Sequence, residues 1–145
     1  MVEQLSVFLQ NEAGRLARMC RVLGDAGHNM HVLMVADTQE YGVARMLCDR
    51  PHSARRALEA AGFAVSITRV VAVEVPDRPG GLAEVLELMG REGVNVEYMY
   101  CFVRPGAEVA VDIFRVEDPD RATDVLTRAG IGIARAPSLY DIDAG

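Results

Sequence analysis

The chain repeats itself. Asn11-Glu12-Ala13-Gly14-Arg15-Leu16-Ala17 and Asp77-Arg78-Pro79-Gly80-Gly81-Leu82-Ala83 each follow an apolar run and open a helix-like pattern, with Gly14 and Gly80 sixty-six positions apart. The same offset aligns identical residues at Val7/Val73, Leu16/Leu82, Ala17/Ala83, Gly24/Gly90, Gly27/Gly93, Asn29/Asn95, Val43/Val109 and Ala44/Ala110. Beyond residue 51 the offset becomes sixty-eight, through Ala54/Ala122, Leu58/Leu126, Ala61/Ala129 and Gly62/Gly130, which places a two-residue insertion near Glu117-Asp118-Pro119. Glycines, helix starts and apolar faces that match in register imply internal duplication, so the two halves share one fold. The expected domains are residues 1–67 and 68–140, with 141–145 as a tail.

Within the first copy, Leu5 to Leu9 reads as a strand and Asn11 as the N-cap of a helix. Leu16, Met19, Cys20 and Leu23 share one helix face, and Gly24 and Gly27 end that helix. His28 to Asp37 reads as a strand, Thr38 to Gly42 as a turn and Val43 to Cys48 as a second strand. A helix from Pro51 places Ala54, Ala57, Leu58 and Ala61 on one face and stops at Gly62, and Phe63 to Ile67 returns as a strand. The order β-α-β-β-α-β is the split βαβ or ferredoxin-like unit, so the expected class is α+β: two such units, antiparallel sheets, helices on one face. Phe63 to Val75 is almost continuous strand-forming sequence, so no flexible linker separates the copies. Val94, Val96, Tyr98, Tyr100 and Phe102 are expected on one face of a strand with Met99 and Cys101 on the other. Both faces are apolar and helices cover only one, so an association is expected, within the chain or as a homodimer.

Several functions are disfavoured by what the chain lacks. Its net charge is −6, and residues 67–145 hold fourteen acids against eight arginines, which argues against nucleic acid as the main partner. All fifteen basic residues are arginine, which excludes Schiff-base and P-loop lysine chemistry. No apolar run approaches the ~18 residues of a membrane span, and the first residues lack a signal-peptide layout, so a cytoplasmic protein without a membrane partner is expected. Cys20, Cys48 and Cys101 show no CxxC spacing and read as buried, reduced thiols. His28 and His31, three apart on an expected strand, point to opposite faces and make a poor metal pair. No metal or other cofactor is indicated, and none of the G-x-S-x-G, H-E-x-x-H or P-loop motifs occurs. A catalytic role is therefore not expected.

The candidate site is the strand-to-helix turn. Such a turn aims unpaired N–H groups and the positive end of a helix dipole at a small anion such as a carboxylate. In the expected sheet the strand leaving the helix lies beside the strand entering it, so Asn29 or Asn95 can approach the turn. Turn amides and a carboxamide together supply donors and acceptors for a free amino acid. Two bland alternatives stay open: Asn29 and Asn95 turn the chain after a helix, and Gly14 and Gly80 permit tight packing.

A strand, then Asp77-Arg78-Pro79-Gly80-Gly81-Leu82, a helix, and Gly93-Val94-Asn95-Val96 together resemble the ACT domain, a small-molecule sensor of amino-acid metabolism. The first copy resembles it more loosely, with Ala13 in place of the proline seen at Pro79. The resemblance covers nearly the whole chain and implies a tandem ACT protein that binds an amino acid at an interface between ACT units. It assigns ligand roles to Asn11, Gly14 and Asn29 and to Asp77, Gly80 and Asn95, with Ala13, Arg15, Leu16, Pro79, Gly81 and Leu82 completing the turns. Asn11 can donate to a carboxylate and an ionised Asp77 cannot, so the two sites are expected to differ; Asp77 would cap its helix or hold an ammonium. The implied function is a non-catalytic regulator acting on a metabolic enzyme or a transporter. The alternatives are a structural adaptor without a ligand and an acylphosphatase-like hydrolase on the same fold, the latter using Arg15 and an asparagine on a phosphate.

Overall fold

Alternation of inward apolar residues with outward ones forms the first strand, β1 (Val2–Gln10): Leu5, Val7 and Leu9 are buried, whereas Phe8 lies half exposed on the other face. The computed structural model describes residues 2–38, 41–103 and 106–135, so the expected tail at 141–145 lies outside the described residues. After β1 come α1 (Arg15–Asp25), β2 (Met30–Thr38), β3 (Tyr41–Cys48), α2 (Pro51–Ala60) and β4 (Ala64–Pro76). Then α3 (Gly81–Arg91), β5 (Val96–Phe102), β6 (Val109–Val116), α4 (Pro119–Arg128) and β7 (Ile133–Ala134) repeat the order. Among the described residues two compact units result, 3–68 and 69–135, the second also taking Val2. Their limit falls inside β4, a single thirteen-residue strand. Among the described residues no helix is long and apolar enough to cross a membrane.

Each unit is an antiparallel sheet with its helices on one face, the α+β ferredoxin-like pattern. In the N-terminal unit β3 lies between β1 and β2, and Leu5, Val7, Leu9, Ala44 and Met46 from the sheet pack on Met19, Leu23, Ala54 and Leu58 from the helices. In the C-terminal unit β6 lies between β4 and β5, β7 adds to β4, and Val71, Val73, Phe114 and Val116 pack on Val85, Met89, Ala122 and Leu126. Full burial of side chains of this size stabilises by about 1.5–3 kcal/mol each for Val, Leu, Met or Phe, which makes these two clusters the main source of each unit's stability.

Strand pairing relocates the two-residue insertion. Gln10 pairs with Tyr41, and its counterpart Pro76 pairs with Val109, so β3 and β6 already differ by sixty-eight positions. The extra residues therefore lie in the β5–β6 connection, not near Glu117. Val43/Val109 and Ala44/Ala110 are chance identities out of register; the structural counterpart of Ala44 is Asp112. Short runs of Val and Ala carry too little information to set a register that backbone hydrogen bonds set unambiguously.

A bulge also changes which side chains share a face. The β5–β6 register shifts between Val96 and Tyr98, and β2–β3 shifts at the equivalent place between Met30 and Val32. Past the bulge the alternation is inverted, so Met99 joins Val94 and Val96 against the helix-side core, and Tyr98, Tyr100 and Phe102 take the other face. The expected five-residue face is thus divided in two.

Candidate functional site

The two strand-to-helix turns are built alike. In the first, Glu12 N donates to Gln10 O (2.8 Å), Arg15 N to Glu12 O (3.3 Å) and Arg18 N to Gly14 O (2.9 Å). In the second, Arg78 N donates to Pro76 O (2.9 Å), Gly81 N to Arg78 O (3.0 Å) and Glu84 N to Gly80 O (3.0 Å). Gly14 and Gly80 are the N-caps, at φ +88° and +83°, a left-handed conformation that disfavours any residue with a Cβ. A Cβ at either would meet nothing within 4 Å, so these glycines serve the backbone conformation and leave the space before the helix open; tight packing does not explain them. Neither helix start has a side-chain cap, so Asn11 and Asp77 do not cap α1 and α3 as expected. Asp77 instead uses its backbone N–H, which donates to Glu108 O at 3.0 Å.

Electrostatics separates the two turns. The first turn of α1 contains no acid and begins with Arg15, whose guanidinium lies 4.9 Å from the Phe63 ring centroid with Nε buried and unpaired. A cation at the positive end of a helix dipole is unfavourable until an anion joins it. The first turn of α3 carries Glu84, held by Arg78 at 2.8 Å, so its charge is already balanced. Asn11, Ala13 and Leu16 are exposed around the α1 turn, whereas Leu82 is half-buried against the C-terminal core and Gly81 is buried. A Cβ on Gly81 would overlap the carbonyl oxygen of Pro76, so in this turn Gly81 is the glycine required by space.

The asparagines are not where the sequence placed them. The strand leaving each helix is separated from the strand entering it by β3 or β6, and the helix carries the chain back to the far end of the sheet before that strand begins. Pro76 pairs with Val109 and Val96 with Val116, so Asn95 lies the length of β6 away from the turn, roughly 24 Å at about 3.4 Å per residue. The same holds for Asn29, since Gln10 pairs with Tyr41 and Met30 with Cys48. Within one unit a small ligand cannot touch both the turn and the asparagine.

Asn95 instead lines a cavity of about 110 Å³ with Gly93, Val94, Glu97, Glu117, Asp118 and Arg121. Asp118 caps α4 by accepting from Arg121 N at 3.0 Å, and the Arg121 guanidinium donates to Glu92 O at the end of α3. In the N-terminal unit the corresponding place holds a polar cluster. His28, ahead of β2 and buried, makes a 3.2 Å hydrogen bond with Ser53 and has Nδ1 3.8 Å from Asp49, while Arg50 donates to Gly27 O at 2.8 Å. His28 is therefore not a strand residue opposed to His31.

Two further residues differ from the sequence reading. Cys48 is buried and its thiol is pushed up to about 11, mainly by burial, but Cys101 is exposed. Asp112 carries no role in the sequence reading, yet it is 2% exposed in the middle of β6, its Oδ1 finds no hydrogen-bond partner among the described residues, and burial raises its carboxyl above the usual range. The signal was present: an acid alternating with Ala110, Phe114 and Val116 on the inward side of a strand.

The model of the ACT domain pair matches residues 1–139. The chain belongs to the ACT domain pair family. Among solved structures, this ACT pair is similar to a protein from Bacteroides thetaiotaomicron, 36% identical, with a TM-score of 0.90 over 97% of this chain and 96% of that one. It shares its fold with the regulatory subunit of aspartate kinase from Thermus thermophilus in a ligand-free form (16% identity, TM-score 0.65, 88% of this chain and 91% of that one). The same subunit from Thermus flavus gives 16% identity and a TM-score of 0.64 over 88% of this chain and 92% of that one. No curated protein matches the sequence significantly. ACT domains are regulatory ligand-binding units.

Proposed function

We propose that this ACT pair is a non-catalytic, cytoplasmic regulatory protein that binds a free amino acid through the turn at the start of α1. The observation that carries the reading is the start of α1: Gly14 opens the backbone, Arg15 adds a cation, and the first helical turn holds no acid. Asn11, exposed beside that turn, donates a further hydrogen bond to the ligand carboxylate. The turn and Asn29 or Asn95 lie at opposite ends of a unit, so a ligand that meets both kinds of group takes them from different ACT units. Binding at such an interface, in a homodimer or against a regulated enzyme or transporter, biases their arrangement through differential affinity for two states. The fold shared with aspartate kinase regulatory subunits agrees with a regulatory role.

A thermal-shift screen of the twenty amino acids tests this. A ligand at a hundred times its Kd stabilises by about 2.7 kcal/mol, several degrees for a protein of this size. Stabilisation by one or a few amino acids is the expected result; stabilisation by none would leave the structural adaptor. An acylphosphatase-like site would pair Arg15 with an asparagine; Asn29 stands at the other end of β3, which leaves Asn11, and turnover of an acyl phosphate would support that alternative over the sensor.

A further inference from the structure

At one buried position the C-terminal unit carries a carboxylate where its twin carries an alanine. Asp112 replaces a residue that in the N-terminal unit is Ala44, and both are buried. Asp112 alternates with Phe114 and Val116, which belong to the core under α3 and α4, so its carboxyl is on the helix-facing side of the sheet. It sits three residues from Val109, whose partner Pro76 leads into the Asp77–Gly81 turn, about 10 Å along the strand. Val73 flanks it on one side and is fully buried; Cys101 flanks it on the other and is exposed, so the side of Asp112 toward β5 is the one nearer solvent. A carboxyl buried without a hydrogen-bond partner for Oδ1 is costly, and a docked cation removes that cost. Asp77, exposed on the turn, adds negative charge on the same side: the Cys101 thiol is raised first by burial and then by Asp112 and Asp77.

We propose that Asp112 is the acceptor for the ammonium group of a ligand that enters the C-terminal unit beside the Asp77–Gly81 turn. The N-terminal unit, with Ala44 at this position and Arg15 on its turn, favours a carboxylate, so the duplicated turns have diverged toward opposite charges. This builds on the amino-acid reading above and assigns the amino group to a residue outside the turn motif.

The test pairs wild type with Asp112→Asn, which keeps the shape and removes the charge. Both are titrated, by thermal shift and calorimetry, with free amino acids, amino-acid amides as cation-only probes and N-acetyl amino acids as anion-only probes. The expected result is that amides and free amino acids bind wild type, and that Asp112→Asn weakens amide binding at least tenfold while N-acetyl compounds are unaffected. Native-state alkylation of Cys101, followed by peptide mass spectrometry, gives a second readout: amides slow it in wild type and not in Asp112→Asn. If free amino acids bind and Asp112→Asn leaves amide binding and Cys101 protection unchanged, the ammonium site is overturned and the sensor reading stands. If amides alone bind in an Asp112-dependent way, the ammonium site stands and the sensor reading falls. Binding of neither to wild type overturns both.

Discussion

Gly80 and Gly81 are neighbours in one turn, yet alanine should affect them for different reasons and to different extents. At Gly80 an added methyl meets nothing within 4 Å, so the cost is the left-handed φ of +83° alone. That strain is about 1–2 kcal/mol, offset by roughly 0.5 kcal/mol from the smaller entropy of the unfolded chain. At Gly81 the backbone is helical and unstrained, but the methyl would overlap Pro76 O and lie 3.2 Å from Pro76 C. Both obstacles are main-chain atoms at the end of β4, so relief requires moving the start of α3 away from the strand. Such overpacking costs about 1–3 kcal/mol, and a rigid obstacle places Gly81→Ala in the upper part of that range. The expected order is therefore Gly81→Ala, down by about 2–3 kcal/mol, then Gly80→Ala, down by about 1 kcal/mol. Urea unfolding followed by circular dichroism reads both as shifts in midpoint at unchanged slope. A Gly81→Ala protein as stable as wild type, or less affected than Gly80→Ala, would refute the argument that space governs one glycine and φ the other.

Three further outcomes follow from named contacts. Asp118→Ala removes the cap accepted from Arg121 N and should cost about 1 kcal/mol, whereas Asn11→Ala, which caps nothing, should stay within about 0.5 kcal/mol; chemical denaturation of the two variants compares them. Because burial raises the Asp112 carboxyl in the folded state, its contribution to stability is fully present below the ordinary value of 3.8 and is lost as pH rises through the raised folded value. Asp112→Asn should thus be more stable than wild type at neutral pH, with the advantage fading toward pH 4; an advantage that grows on acidification contradicts the assignment. Native-state alkylation near pH 8 should label Cys101 far faster than Cys48, whose thiol at about 11 leaves roughly one molecule in a thousand ionised.

The repeat makes the fold legible in the sequence. Gly14 and Gly80, the helix faces through Leu23 and Met89, and the paired starts at Pro51 and Pro119 all recur at matching places. Side-chain identity could not show where hydrogen bonds begin, and that accounts for the errors. Identity aligns Ala44 with Ala110, whereas pairing aligns Ala44 with Asp112, and so it hides a position where the copies differ by a buried carboxylate. The bulge after Val96 leaves no mark in composition, so the sequence alternation through Tyr98 and Met99 does not show the inversion it causes. Asn11 carries the chemistry of a cap, but the left-handed glycine three residues later starts the helix. The distance between Asn95 and the turn is a property of strand order, which places β6 between β4 and β5; sequence spacing does not contain it.

Calorimetry on the α1 turn tests the central claim most directly. The amino acid that most raises the melting temperature is titrated into wild type, Asn11→Ala and Arg15→Gln. The account predicts saturable binding to wild type and affinity at least tenfold weaker in Arg15→Gln, a loss of about 1.4 kcal/mol, with a smaller loss in Asn11→Ala. Full affinity in Arg15→Gln, or no heat from any amino acid with wild type, would contradict it.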